Sequence, residues 1–243
     1  MEHIIKNTIA KLNTPEIEFA DVRISFTDYE DITFMNGSLR NFSSDLGSPA
    51  IGIRVLIAGC WGFAGAKNLD ENKIDILISQ AISNAKHGGK FMQKPVQFPA
   101  MKPTVAEYIH QPKINPFTMN RDEKVGYLQN LAQAIAPQGK IVHSYVSGEF
   151  MRQERYYANT EGSYSHSVFY NTLPVMLVAA AEGSAVQTRT WPGHMSAGRG
   201  GFELFYEQQF EQNTQRIIKE ATDLLSAPTI TEEKADIIIG NGH

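Results

Sequence analysis

The chain opens on a helical stripe and then changes period. Over residues 3–12, Ile4, Ile5, Ile9 and Leu12 recur at helical spacing, so one face of the segment is apolar. From Asp21 the spacing drops to two. Val22, Ile24 and Phe26 alternate with polar residues, and Asn36-Gly37 between alternating runs predicts a tight hairpin. Ile51, Ile53, Val55 and Ile57 share the next strand face, Gly59-Cys60 predicts a turn, and Trp61 and Phe63 open a further strand. A three- or four-stranded antiparallel meander is the simplest arrangement of these runs.

Helical spacing returns from about Asp70, where Ile74, Leu77, Ile78, Ala81, Ile82 and Ala85 fall on one face and Gly88-Gly89 predicts the stop. Residues 91–119 hold five of the eleven prolines, which predicts a crossing loop with little regular structure. Asn120 and Glu123 stand at capping-box spacing ahead of Val125, Leu128, Ala132 and Ile135, with Pro137 and Gly139 at the end of that helix. A second strand-rich block follows from Lys140. Its clearest hairpin turns through Asn159-Thr160-Glu161-Gly162, and further strands are expected at residues 175–181 and 184–190, separated by Glu182-Gly183. Residues 191–201, WPGHMSAGRGG, predict a mobile loop. Beyond it an amphipathic helix of about six turns is expected from Phe202, with Tyr206, Phe210, Ile217, Ala221, Leu224 and Leu225 buried and Pro228 as its stop. The run ADIIIG at 235–240 reads as a closing strand.

The expected fold class is therefore α+β, with antiparallel meander sheets packed against long amphipathic helices in a loosely two-part arrangement. The parts are about 1–90 and 120–243, joined by the proline-rich loop 91–119. No residue-level repeat proves a duplication.

Composition narrows the function classes. The 243 residues are 42% apolar and 20% charged with a net charge of -4, so there is no basic surplus for a phosphate backbone. Binding to nucleic acid is not expected, nor is membrane insertion: the longest apolar run, residues 175–181, is far short of the roughly 20 residues a bilayer requires. Cys60 is the only cysteine, which rules out an intrachain disulfide and fits a reducing compartment. The N-terminus lacks the features of a signal peptide, and the expected location is the cytoplasm.

Candidate chemistry is sparse. Seven histidines are scattered without the i, i+4 spacing of a zinc helix. His143 and His166 either meet across neighbouring strands as a metal pair or are ordinary sheet histidines. Asp28, Glu30 and Asp31 either line a site or form a charged strand end, and Glu149, Glu154 and Glu161 carry the same two readings. The glycine-rich stretch lacks the pattern of a phosphate-binding loop. It reads as a flexible loop or as a lid or partner-contact loop, with Gly198, Arg199, Gly200 and Gly201 as contact residues and Arg199 able to pair a carboxylate of a peptide or of another chain. Cys60 has no neighbouring base to activate it and reads as a buried thiol. No complete catalytic site and no metal site can be assembled from these residues.

Several stretches together resemble the N-terminal domain of the TldD/PmbA family, zinc metallopeptidases also described as modulators of DNA gyrase. The segment GIRVLIAGCWGFAGA, residues 52–66, is similar to the family's Gly-x-x-Arg-Val-x-x-x-Gly-x-Trp-Gly-Phe-Ala run. FMNGSLRNFSSDLG before it, YYANTEGSYSHS, GRGGFELFYE and the closing ADIIIGNGH support the likeness in order and spacing, over nearly the whole chain. In TldD-type members the closing strand and turn lead into a helix bearing His-Glu-x-x-x-His, whose histidines bind zinc and whose glutamate is the general base; a later cysteine completes the ligands. The resemblance places every one of those residues beyond His243, and leans to the TldD side. It implies a catalytic C-terminal domain as partner, zinc in the full-length protein but no cofactor in this chain, an unfolded peptide as substrate, and a homodimer or a heterodimer with a PmbA-like subunit. It thus implies a domain that shapes substrate access and dimer contacts and is silent alone. The alternative is a stand-alone peptide- or protein-binding module that pairs with a separately encoded catalytic half.

Overall fold

A computed structural model of the chain describes residues 1–99, 101–193, 197–228, 234 and 236–238. Helix α1 (Glu2–Leu12) leads into strands β1 (Phe19–Met35), β2 (Ser38–Ile57) and β3 (Cys60–Lys67), then helix α2 (Ile74–Gly89) and a short strand β4 (Val105–Ile109). Helix α3 (Arg121–Ala134) precedes β5 (Ile141–Asn159), β6 (Tyr164–Glu182), β7 (Ala185–Trp191) and the two-residue β8 (Gly198–Arg199). Helices α4 (Glu203–Glu207) and α5 (Phe210–Leu224) follow. The strands bond in the order β3-β2-β1-β5-β6-β4, and β7 and β8 also pair with β6. Helices on a mainly antiparallel sheet make the fold α+β, as the periodicity predicts.

Most expected turns are in place. Asn36 and Gly37 take left-handed φ values of 52° and 79° between β1 and β2, as a two-residue hairpin requires. The next turn falls one residue earlier than expected, on Ala58 and Gly59. Asn120 caps α3 by accepting from the backbone of Asp122 and Glu123.

Six expectations change. The proline-rich segment carries β4, which pairs in parallel with Tyr164–Val168 of β6. Residues 164–182 form one strand, not two. Helix α2 runs through Gly88 and Gly89 instead of stopping at them, and a Cβ on Gly88 would lie 3.0 Å from Cys60 Sγ. The long helix from Phe202 breaks at Gln209, which has a φ of 56°, and the freed carbonyl of Gln208 accepts from Trp191 Nε1 at 2.7 Å. Tyr206, on the short helix before the break, is exposed rather than buried. In the closing run, 236–238 carry no strand and Ile237 and Ile238 are exposed; 235, 239 and 240 lie outside the described residues.

The chain divides into two compact units, and neither is continuous in sequence. The first comprises Met1–Asp28, Asp45–His110 and Arg152–Phe169, the second Tyr29–Ser44, Gln111–Met151 and Tyr170–His243. The cause is strand length. β1, β2, β5 and β6 have 17, 20, 19 and 19 residues, well past the usual range of about 3–10. Each therefore contributes residues to both units.

In the first unit, Ile4, Ile5 and Leu12 of α1 and Ile74, Leu77, Ile78, Ala81 and Ala85 of α2 bury against Ala20, Val22 and Ile24 of β1 and Ile51, Ile53 and Val55 of β2. Helix α2 approaches β3 at Gly62, where a Cβ would stand 2.0 Å from the Ala81 carbonyl oxygen. The proline-rich segment is anchored here too: Val96 donates its N–H to the Gly59 carbonyl, and Phe98 packs on Phe19 and Trp61.

In the second unit, Leu128, Leu131 and Ala132 of α3 and Phe210, Ile217 and Ala221 of α5 close over Ile32, Phe34, Val146, Phe150 and Val178. Phe150, Phe202 and Phe205 form an aromatic cluster within it. An ion pair, Lys124 with Glu30, lies buried beside this core, and Lys124 Nζ also donates to the Pro116 carbonyl at 2.6 Å. Neither charge could lose its partner cheaply; breaking such a pair costs about 3–5 kcal/mol.

Two glycines should respond oppositely to alanine. Gly62→Ala forces a methyl group into helix backbone and should cost about 3 kcal/mol, the upper end of ordinary overpacking. Gly126, inside α3, has open space where a Cβ would stand, and should gain about 0.5–1 kcal/mol as alanine. Urea denaturation midpoints of the two variants check both signs.

Candidate functional site

The glycine-rich stretch is built into the second unit. Gly198 and Arg199 pair with Thr172 and Asn171 of β6. Thr172 Oγ1 donates to the Gly200 carbonyl at 3.1 Å. Gly201 is buried, and a Cβ there would stand 2.0 Å from the Ile114 carbonyl oxygen. Glu203 organises the turn: its carboxylate accepts backbone N–H groups from Gly201 at 2.9 Å, Ile114 at 2.9 Å and Lys113 at 3.1 Å. Burial works against the charged carboxylate, but these donors outweigh it and hold its pKa below the ordinary range. Three of the four candidate contact residues thus serve as backbone in a tight turn. Arg199 is the exposed one. His194, Met195 and Ser196, part of the expected mobile loop, lie outside the described residues.

A second cluster occupies the first unit. His166 on β6 reaches a carboxylate with each ring nitrogen, Nδ1 to Glu107 Oε1 of β4 at 2.9 Å and Nε2 to Glu154 Oε1 of β5 at 3.0 Å. The Tyr156 ring stacks on the imidazole at 4.4 Å, and its hydroxyl donates to Glu154 Oε1 at 2.6 Å. Arg152 joins Glu154 at 2.7 Å to Asp28 at 3.1 Å, and Asp28 also accepts the Gly47 N–H. Burial disfavours the charged imidazole, yet the bonds to Glu107 and Glu154 outweigh it and raise the His166 pKa. The same network lowers the pKa of Glu154 against the effect of its burial, chiefly through Tyr156 and Arg152.

The remaining candidates are occupied elsewhere. Glu30 holds Lys124, Asp31 accepts from Thr33 and Asn41, Glu149 accepts from Tyr29, and Glu161 accepts the Met101 N–H. Tyr29 is pushed up to about 12 by its burial and by Glu149. The partner of His166 is a pair of glutamates, not His143. Sequence reading missed Glu107, Lys124 and Glu203, whose bonds to His166, Glu30 and Ile114 span 59, 94 and 89 residues; no local pattern marks them. Cys60 is partly buried beside Gly88.

Among the described residues no group of three His, Cys, Asp or Glu side chains is arranged to hold a metal ion. No helix among them is long and apolar enough to cross a membrane.

Comparison with known proteins gives consistent matches. The model of the PmbA/TldA metallopeptidase domain 1 matches residues 20–85, and that of the PmbA/TldA metallopeptidase central domain matches residues 114–227. A metalloprotease of Methanocaldococcus jannaschii is 27% identical over 186 residues, which are 76% of this chain and 40% of that protein. A Thermotoga maritima protein described as a candidate modulator of a DNA gyrase superposes with a TM-score of 0.71 at 17% identity, over 95% of this chain and 50% of its own. TldE from Thermococcus kodakarensis gives 0.61 at 15% identity, over 90% and 47%. The chain therefore spans about half the length of these solved structures. At such identities the superpositions speak for the fold.

The His166 cluster makes stability depend on pH. Its folded pKa is raised above an unfolded value of about 6.5, so the stabilisation is fully present below that value and is lost as pH rises through the folded pKa. Urea midpoints of the native chain and of His166→Asn, compared from acid to alkaline pH, should differ most at the acid end and converge above the folded pKa. Glu107→Gln should shift the imidazole titration, followed by NMR, to lower pH.

Proposed function

The chain belongs to the PmbA/TldD metallopeptidase family, and from that membership we propose that it is the N-terminal module of a TldD-like zinc metallopeptidase acting on unfolded peptides. The observation that carries the reading is the match of two successive family domains, the first and the central one, in the order the family uses.

Zinc, which such an activity implies, does not fit the residues described. His166 commits both nitrogens to carboxylates, and His87 donates Nδ1–H to the Ser83 carbonyl at 2.7 Å. No catalytic step is assigned to them. The metal-bearing half is supplied by the same polypeptide or by a separate one.

The module's role is to shape access of the peptide to that half and to make dimer contacts, with a second copy or with a PmbA-like subunit. Arg199, exposed beside the rigid turn that Glu203 holds, is the side chain of the glycine-rich segment suited to meet a peptide or another chain.

The purified chain, equilibrated with zinc and freed of loose metal, should hold far less than one zinc per chain by elemental analysis and leave unfolded casein intact. Stoichiometric, tightly held zinc together with casein hydrolysis would overturn the reading.

A further inference from the structure

We propose that the sheet face of the first unit opposite its helices carries a groove that binds an acidic segment of an extended peptide. Strand alternation separates two faces here. Ala20, Val22 and Ile24 of β1 enter the core, so Asp21, Arg23 and Ser25 turn the other way. On that side lies a cavity of about 480 Å³ lined by Arg23, Ser25, Arg155, Tyr157, Ser165 and Ser167. This is within the range of ligand-sized sites.

The lining of the groove is cationic. Its residues on β1, β5 and β6 contribute two guanidinium groups and no carboxylate. Asp21, the carboxylate that pairs with Arg23 at 3.7 Å, is buried and is shared with Arg54, which bonds it through Nε at 2.9 Å. Among the described residues Arg155 has no acidic partner; its guanidinium meets the Gln153 side chain and lies 4.9 Å from the Phe169 ring centroid. Arg23 lies over Tyr157 at 5.6 Å. The aromatic faces hold both planar forks in place, ready for two-point contact with a carboxylate, and three serine hydroxyls offer further donors.

Of the anions with this chemistry, a peptide carboxylate suits the groove best. Two guanidinium groups suit a short acidic segment, whereas a phosphate polymer calls for a longer basic track. The cavity has room for a few residues walled by a tyrosine. That the carboxylates come on a peptide rests on the function proposed above; the selectivity for negative charge does not.

Isothermal titration calorimetry with the intact chain tests the idea. The probes are an eight-residue glutamate-rich peptide, its glutamine counterpart, inorganic phosphate and a single-stranded oligonucleotide. The acidic peptide should bind at least tenfold more tightly than the glutamine peptide. Arg23→Gln with Arg155→Gln should abolish that difference, while Arg216→Gln on a helix of the other unit leaves it intact. Should the double variant not fold, Ser25→Asp places a negative charge in the groove and should weaken the acidic peptide at least tenfold.

Equal binding of the two peptides, indifference to these substitutions, or tighter binding of phosphate or oligonucleotide would overturn the proposal. None of those results bears on zinc content or casein hydrolysis, so the two readings fail separately.

Discussion

The two-residue alternation of β1, β5 and β6 is the constraint from which the first unit's chemistry follows. The pleat commits every residue to one of two faces, and a slip of one position would exchange them all. Val22 and Ile24 are core because they alternate with Arg23, and Arg23 faces outward for the same reason. Asp28, Arg152, Glu154 and His166 continue the inward register past the apolar core, so charges that face inward must find each other. They do so as a linked series, not as isolated pairs.

The second unit meets a similar demand with different means. Its buried Lys124 is matched by Glu30 and a backbone carbonyl, and its buried Glu203 by backbone N–H groups from two segments. The sequence places a glycine where the chain comes closest, at Gly201, much as Gly62 admits α2 to the sheet in the first unit. Polar satisfaction and glycine spacing thus fix geometry that apolar packing alone would leave loose.

Much of this is legible locally. Periodicity finds α1, the body of α2, α3 and most strands, and Asn36-Gly37 and Asn120 announce a turn and a cap through their own short-range chemistry. What stays hidden is long-range. An alternating strand carries the same pattern whichever core it faces, so the division of four strands between two units leaves no mark on the sequence. Glu107 looks like one more charge in a proline-rich stretch until parallel pairing sets it beside His166. The break at Gln209 lies within an unbroken helical pattern, because the partner that accepts its cost is Trp191, distant in sequence. The family resemblance, by contrast, comes from the order of several segments and needs no single site residue.

The parallel pairing of β4 also joins distant parts of the chain. Helix α3 and the whole of β5 lie between β4 and β6 in sequence, so this contact closes a far longer loop than the turn between β5 and β6 does, at a greater entropic cost. Until β4 docks, residues 164–168 of β6 form an unpaired edge, the kind of surface through which unfinished chains aggregate. That edge reads Tyr-Ser-His-Ser-Val. Its hydroxyls and an ionisable ring make a poor template for another chain, so the histidine that clasps β4 sits on an edge ill suited to any other strand.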